Sequence, residues 1–117
     1  MSAFDRAAKN DYTLAEIENA IKNRHMLYSY AEQGDIESIH VLIDSERALE
    51  KANPTDIQLK TMDLVWVRGY SLVETAKMFD VTPQAVRFNL NLSSVKLKKV
   101  LDEWLQMSKE EEKHYVH

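Results

Sequence analysis

The chain predicts an all-α fold: an N-terminal helical hairpin followed by a C-terminal three-helix unit with a long last helix. Three observations predict it. The 117 residues include only 2 Gly and 2 Pro, apolar residues recur at helical spacing, and most apolar runs begin with a capping signal. With 44% hydrophobic and 29% charged residues, the composition supports a packed core and excludes wholesale disorder.

Residues 1–12 lack periodicity and read as a flexible arm. Thr13-Leu14-Ala15-Glu16 has the form of a capping box, which opens a helix expected over about 13–32. Leu14, Ile17, Ile21, Leu27, Tyr28 and Ala31 mark its apolar face, and Gly34 supplies a left-handed stop. Asp35 can cap a second helix carrying Ile36, Ile39, Leu42, Ile43 and Leu49. That helix ends before Asn53-Pro54, because a residue preceding proline disfavours the helical conformation. The short link Gln33-Gly34 makes residues 13–53 an antiparallel hairpin, read as a unit for interaction or self-association.

Residues 54–107 form the second unit. Thr55 can cap a helix carrying Ile57, Leu59, Met62 and Leu64 to Val67, stopped at Gly69. Ser71-Leu72-Val73-Glu74 is another capping box and opens a short helix through Phe79. After the turn at Asp80-Val81, Thr82-Pro83 is a strong helix start, since proline at the first position lacks only an amide hydrogen that the helix would leave unpaired. Val86, Leu90, Leu97, Leu101, Trp104 and Leu105 sustain helical spacing to about 107, with a bend expected at Ser93-Ser94. Residues 108–117, with Glu110 to Glu112, read as an acidic solvated tail.

Charge is unevenly distributed. The net charge is −4, yet residues 57–105 carry 7 basic and 5 acidic groups, whereas residues 1–56 carry 6 and 11. The absence of cysteine excludes disulfides and cysteine-based zinc sites and points to a reducing compartment. No apolar run approaches the roughly 18 residues of a spanning helix, and the first twenty residues hold acids rather than a leader's apolar stretch. A cytoplasmic protein without membrane contact is expected. His25, His40, His114 and His117 have no metal-ligand spacing, and no phosphate loop, nucleophile elbow or paired carboxylates occur. Neither enzyme activity, a metal nor a cofactor is expected.

The stretch from Gly69 to Leu90 describes a short and a longer helix joined by a tight turn. Ala76 falls where the two would cross, and Val81, Val86 and Leu90 point back into that junction. This is a helix-turn-helix pattern. Packing that side turns Gln84, Ala85, Arg87, Phe88 and Asn91 outward, where such a helix enters the major groove of DNA: Gln can pair with adenine, Arg with guanine, and an apolar group can meet a thymine methyl. Ser71, Arg68 and Lys77 are placed to touch phosphate, and Lys96, Lys98 and Lys99 could follow the backbone. Phe88, Leu92 and Val95 form a second apolar stripe, expected to pack on the N-terminal hairpin; the other use is a dimer or polymerase contact. Tyr12, Tyr28, Tyr30, Trp66 and Tyr70 are expected in the core.

Residues 57–101 resemble the region 4 helix-turn-helix of bacterial sigma-70-type factors, and more closely the small sigma-like positive control factors and related regulators encoded by phages. The resemblance rests on Gly69-Tyr70-Ser71, Glu74-Thr75-Ala76, Phe79-Asp80-Val81-Thr82, Ala85-Val86-Arg87 and Leu97-Lys98. The segment Ile43 to Ala52 also resembles the stretch that often precedes this unit. Asp80 stands where the family often has Gly, and Asn89, Asn91 and Leu92 stand where it usually has basic residues, which predicts weaker phosphate binding. The resemblance implies a promoter-binding transcription regulator of phage or prophage type, double-stranded DNA and RNA polymerase as partners, and a homodimer on paired half-sites. The alternative is an interaction module that binds polymerase, or another transcription protein, and modulates it without strong DNA binding.

Overall fold

The computed structural model describes residues 11–115, with side chains as far as Glu110. It is all-α: six helices, α1 (Leu14–Lys22), α2 (Arg24–Glu32), α3 (Ile36–Ala52), α4 (Asp56–Met62), α5 (Leu72–Phe79) and α6 (Pro83–Tyr115), and no strand among the described residues. None of these helices is long and apolar enough to cross a membrane. The expected arm falls largely on residues 1–10, outside the described residues. Its last residue, Tyr12, packs against the core and donates its hydroxyl to Asp44 at 2.5 Å.

The first helix is shorter than its periodicity predicts. A full capping box starts α1, with the Thr13 hydroxyl accepting from the Glu16 amide and the Glu16 side chain accepting from the Thr13 amide. The helix then breaks at Asn23, whose φ of −104° leaves the helical range. Its side-chain amide bonds the Asn19 carbonyl at 2.9 Å, a local bond that competes with the helix ladder. The expected helix over 13–32 is therefore two helices. Gly34, at φ +91°, reverses the chain, and α3 returns along α2. Asp35 stands at the N-cap of α3 without bonding its amides, and its carboxylate accepts from Ser38 Oγ at 2.7 Å.

Asn53 ends α3 in the left-handed conformation, and Thr55 opens α4 with a capping box closed by Gln58. After Met62 the helix widens into a π-helical turn over Asp63–Val67, where one α-helix was expected. Gly69, at φ +77°, then lets the Tyr70 amide reach back to the Leu64 carbonyl at 2.9 Å.

The core joins both halves of the chain. Ile17 and Ile21 of α1, Ala48 of α3 and Leu97, Val100 and Leu101 of α6 are buried together, with Trp66 and Trp104 packed against them. Of the aromatic residues expected inside, Tyr12 and Trp66 reach this core, whereas Tyr28, Tyr30 and Tyr70 remain on the surface. Their hydroxyls can stay in water there, and Tyr28 donates to Glu46. The helix α6 is the spine of the molecule. Its 33 residues, at about 1.5 Å each, account for most of the 56 Å long axis. It stays helical through Ser93-Ser94, where a bend was expected; Ser93 is buried and its hydroxyl donates to the Asn89 carbonyl at 2.8 Å. It also continues past 107, so residues 108–115 are helical where a tail was expected.

Candidate nucleic-acid interface

The corner between α5 and α6 is built by local chemistry. Ser71 caps α5, its Oγ accepting from the Glu74 amide at 3.0 Å while the Glu74 carboxylate accepts from the Ser71 amide at 3.3 Å. Asp80 closes α5 at φ +55°, ψ +47°, a left-handed conformation that Asp tolerates better than most residues. Thr82 starts α6 by accepting from the Ala85 amide at 3.1 Å, ahead of Pro83 at the first helical position. Ala76, 2% exposed, and Val86, 1% exposed, seal the crossing. A larger residue than alanine there would push the helices apart. Val81 lies outside this junction, 47% exposed. The left-handed Asp80 before it carries the chain around the corner on the solvent side.

Because α6 is anchored through Val86, Ser93 and Leu97, its opposite side faces out. Gln84, Arg87, Phe88 and Asn91 are all exposed, while Ala85 is half-buried. With Leu72 of α5 and Pro83, these four border an open depression of about 420 Å³ at the N-terminal end of α6. Arg87 forms no ion pair among the described residues, so its guanidinium is available to a ligand.

The backbone-contact candidates divide into committed and uncommitted groups. Arg68 is held by Asp63, Nε to Oδ2 at 2.9 Å, and Lys98 is paired with Asp102 one turn along α6. Lys96 turns toward α4, where its ammonium donates to Gln58 Oε1 at 2.7 Å. Lys77 and Lys99 are exposed and make no ion pair among the described residues. The Ser71 hydroxyl oxygen is used by the cap, which leaves its hydrogen to donate. Since exposed ion pairs hold charge only weakly, Arg68 and Lys98 can exchange partners at small cost.

The stripe of Phe88, Leu92 and Val95 does not pack on the N-terminal hairpin as expected. Phe88 is 61% and Val95 64% exposed, and only Leu92 is half-buried. The hairpin instead meets α6 through Leu97, Val100 and Leu101, which lie on the other side of the helix. Among the histidines with described side chains, His25 is exposed and His40 half-buried; His114 and His117 lie beyond them. No group of three His, Cys, Asp or Glu among the described residues could hold a metal ion.

Comparison of the chain with protein-family models, with curated proteins and with solved structures finds no match. The functional reading therefore rests on the residues and their geometry.

Proposed function

We propose that this chain is a DNA-binding transcription regulator of the phage or prophage type, reading duplex DNA with the first turns of α6 and catalysing no reaction. The observation that carries the reading is the exposure of Gln84, Arg87, Phe88 and Asn91 together on the face of α6 opposite its buried anchor. In a major groove, Gln84 and Asn91 would pair with adenine edges, Arg87 with the O6 and N7 of guanine, and Phe88 would meet a thymine methyl. Lys77 and Lys99 would fix the register on phosphate, with Ser71, Arg68, Lys96 and Lys98 adding contacts as their present partners yield. A homodimer on paired half-sites would raise an otherwise modest affinity.

The exposure of Phe88 and Val95, each above 60%, favours a second reading in which the same helix docks on RNA polymerase or another transcription protein. Selection from a random duplex library separates the two. DNA reading predicts an enriched site with the native chain and no enrichment with the Gln84→Ala/Arg87→Ala double variant. Polymerase docking predicts no enriched site, retention of polymerase by that double variant, and its loss in Phe88→Ala/Val95→Ala.

A further inference from the structure

A second concave surface lies along the flank of α6, between its middle turns and the C-terminal end of α3. The depression is about 400 Å³ and is bordered by Lys51, Asn53, Lys96, Lys99 and Glu103. Three lysines and one glutamate therefore line it, in a chain whose net charge is −4. Lys51 and Lys99 are exposed and make no ion pair among the described residues.

Lys96 is held in place. Its acceptor, Gln58 Oε1, also takes the Thr55 amide at 3.0 Å within the capping box of α4, and Gln58 is 3% exposed. Because that acceptor is neutral, it orients the ammonium without cancelling its charge. The cleft is thus lined by one oriented cation and by two that make no ion pair among the described residues, like charges that repel one another until an anion enters.

We infer that this cleft binds a phosphate group, and that its source is the backbone of the DNA whose bases face Gln84 and Arg87; the inference rests on the reading above. The register fits. Lys99 lies twelve residues beyond Arg87 along one continuous helix, about 18 Å at 1.5 Å per residue. A major groove is about 12 Å wide, so a helix seated by its first turns carries Lys99 past the groove edge to the phosphates. At about 100° per residue, Lys99 is turned some 60° and Lys96 some 120° from Gln84, which sets the cleft on the flank of the reading face. Lys51, which no DNA motif in the sequence marks, brings α3 into the interface. The N-terminal half then contributes directly to DNA binding.

The test is a salt titration of binding to a random duplex by the full chain and by Lys51→Gln/Lys99→Gln. Each neutralised phosphate contributes about 0.9 to the slope of log K against log salt, so the double variant, whose cleft no longer holds its phosphate, should be shallower by about 0.9. Both positions are exposed, so circular dichroism should show the native helix content. A steep native slope left unchanged in the double variant would overturn the cleft while leaving the DNA reading intact.

If the native chain binds no duplex, the DNA reading falls, and tripolyphosphate titrated at constant ionic strength decides the cleft. Saturable amide shifts at Lys51, Asn53, Lys96 and Lys99, abolished in the double variant, would support a site for free phosphates; their absence would overturn it.

Discussion

Replacing Leu97 with alanine probes the claim that one core unites the two halves. Leu97 is 1% exposed and is buried with Ile17 and Ile21 of α1, Ala48 of α3 and Leu101 of its own helix. Leu→Ala changes at buried sites cost about 2–5 kcal/mol, and the cost rises where neighbours cannot collapse into the space. Ile17 and Ala48 are both 0% exposed and belong to separate helices, so the upper part of that range, about 3–5 kcal/mol, applies. With an unfolding entropy of about 2.1 cal/mol/K per residue, a loss of about 4 kcal/mol corresponds to a drop of roughly 16 °C in Tm. The assay is urea and thermal unfolding followed by circular dichroism and by the fluorescence of Trp66 and Trp104, with hydrogen exchange reporting α1, α3 and α6 separately. All probes should shift together. A loss below about 1 kcal/mol, or α1 and α3 amides opening while α6 stays protected, would refute the shared core.

Three further substitutions test separate parts of the account. Ser71→Ala removes the cap of α5 and should cost about 1 kcal/mol in denaturant unfolding; no measurable loss would show that tertiary packing alone fixes the helix start. Thr75 is 0% exposed and its hydroxyl finds no partner among the described residues, so Thr75→Val should stabilise the chain by about 1 kcal/mol, and a comparable loss would reveal a bond the hydroxyl makes. Phe88→Ala should change stability by no more than about 0.5 kcal/mol, as expected for a surface position, while weakening whichever partner docks on α6; a large loss of stability would mean that the ring is buried in solution.

The legible parts of the fold are those set by neighbouring residues. Thr13-Glu16 and Ser71-Glu74 are capping boxes in the sequence and in the structure, Thr82-Pro83 starts α6, and Ala76 and Val86 meet at the corner they were expected to fill. Illegible features depend on competition or on distance. Asn23 breaks a helix with neither Gly nor Pro beside it, through a side-chain bond that the helical spacing of Ile17, Ile21 and Leu27 conceals. The π-helical turn keeps the apolar run of Leu64 to Val67, so periodicity does not register the extra residue in each hydrogen-bonded ring.

Among the candidate contact residues, exposure of Gln84 and Arg87 follows from the helical phase that buries Val86. The engagement of Lys96 by Gln58, 38 residues earlier in the chain, could not be read from a local run of lysines. Nor could the exposure of Phe88, because a second apolar stripe on a helix does not reveal whether another element reaches it. Lys51 was missed for the same reason. It approaches Lys96 and Lys99 only after α3 has packed on α6.

The measurement that bears most directly on the central claim is the salt dependence of equilibrium binding to a random 20–30 base-pair duplex between about 50 and 200 mM salt. With Lys77 on one phosphate and the cleft of Lys51, Lys96 and Lys99 on another, log K should fall against log salt with a slope of about −2. A flat line, or no binding at the low end of the range, would contradict a DNA-reading α6.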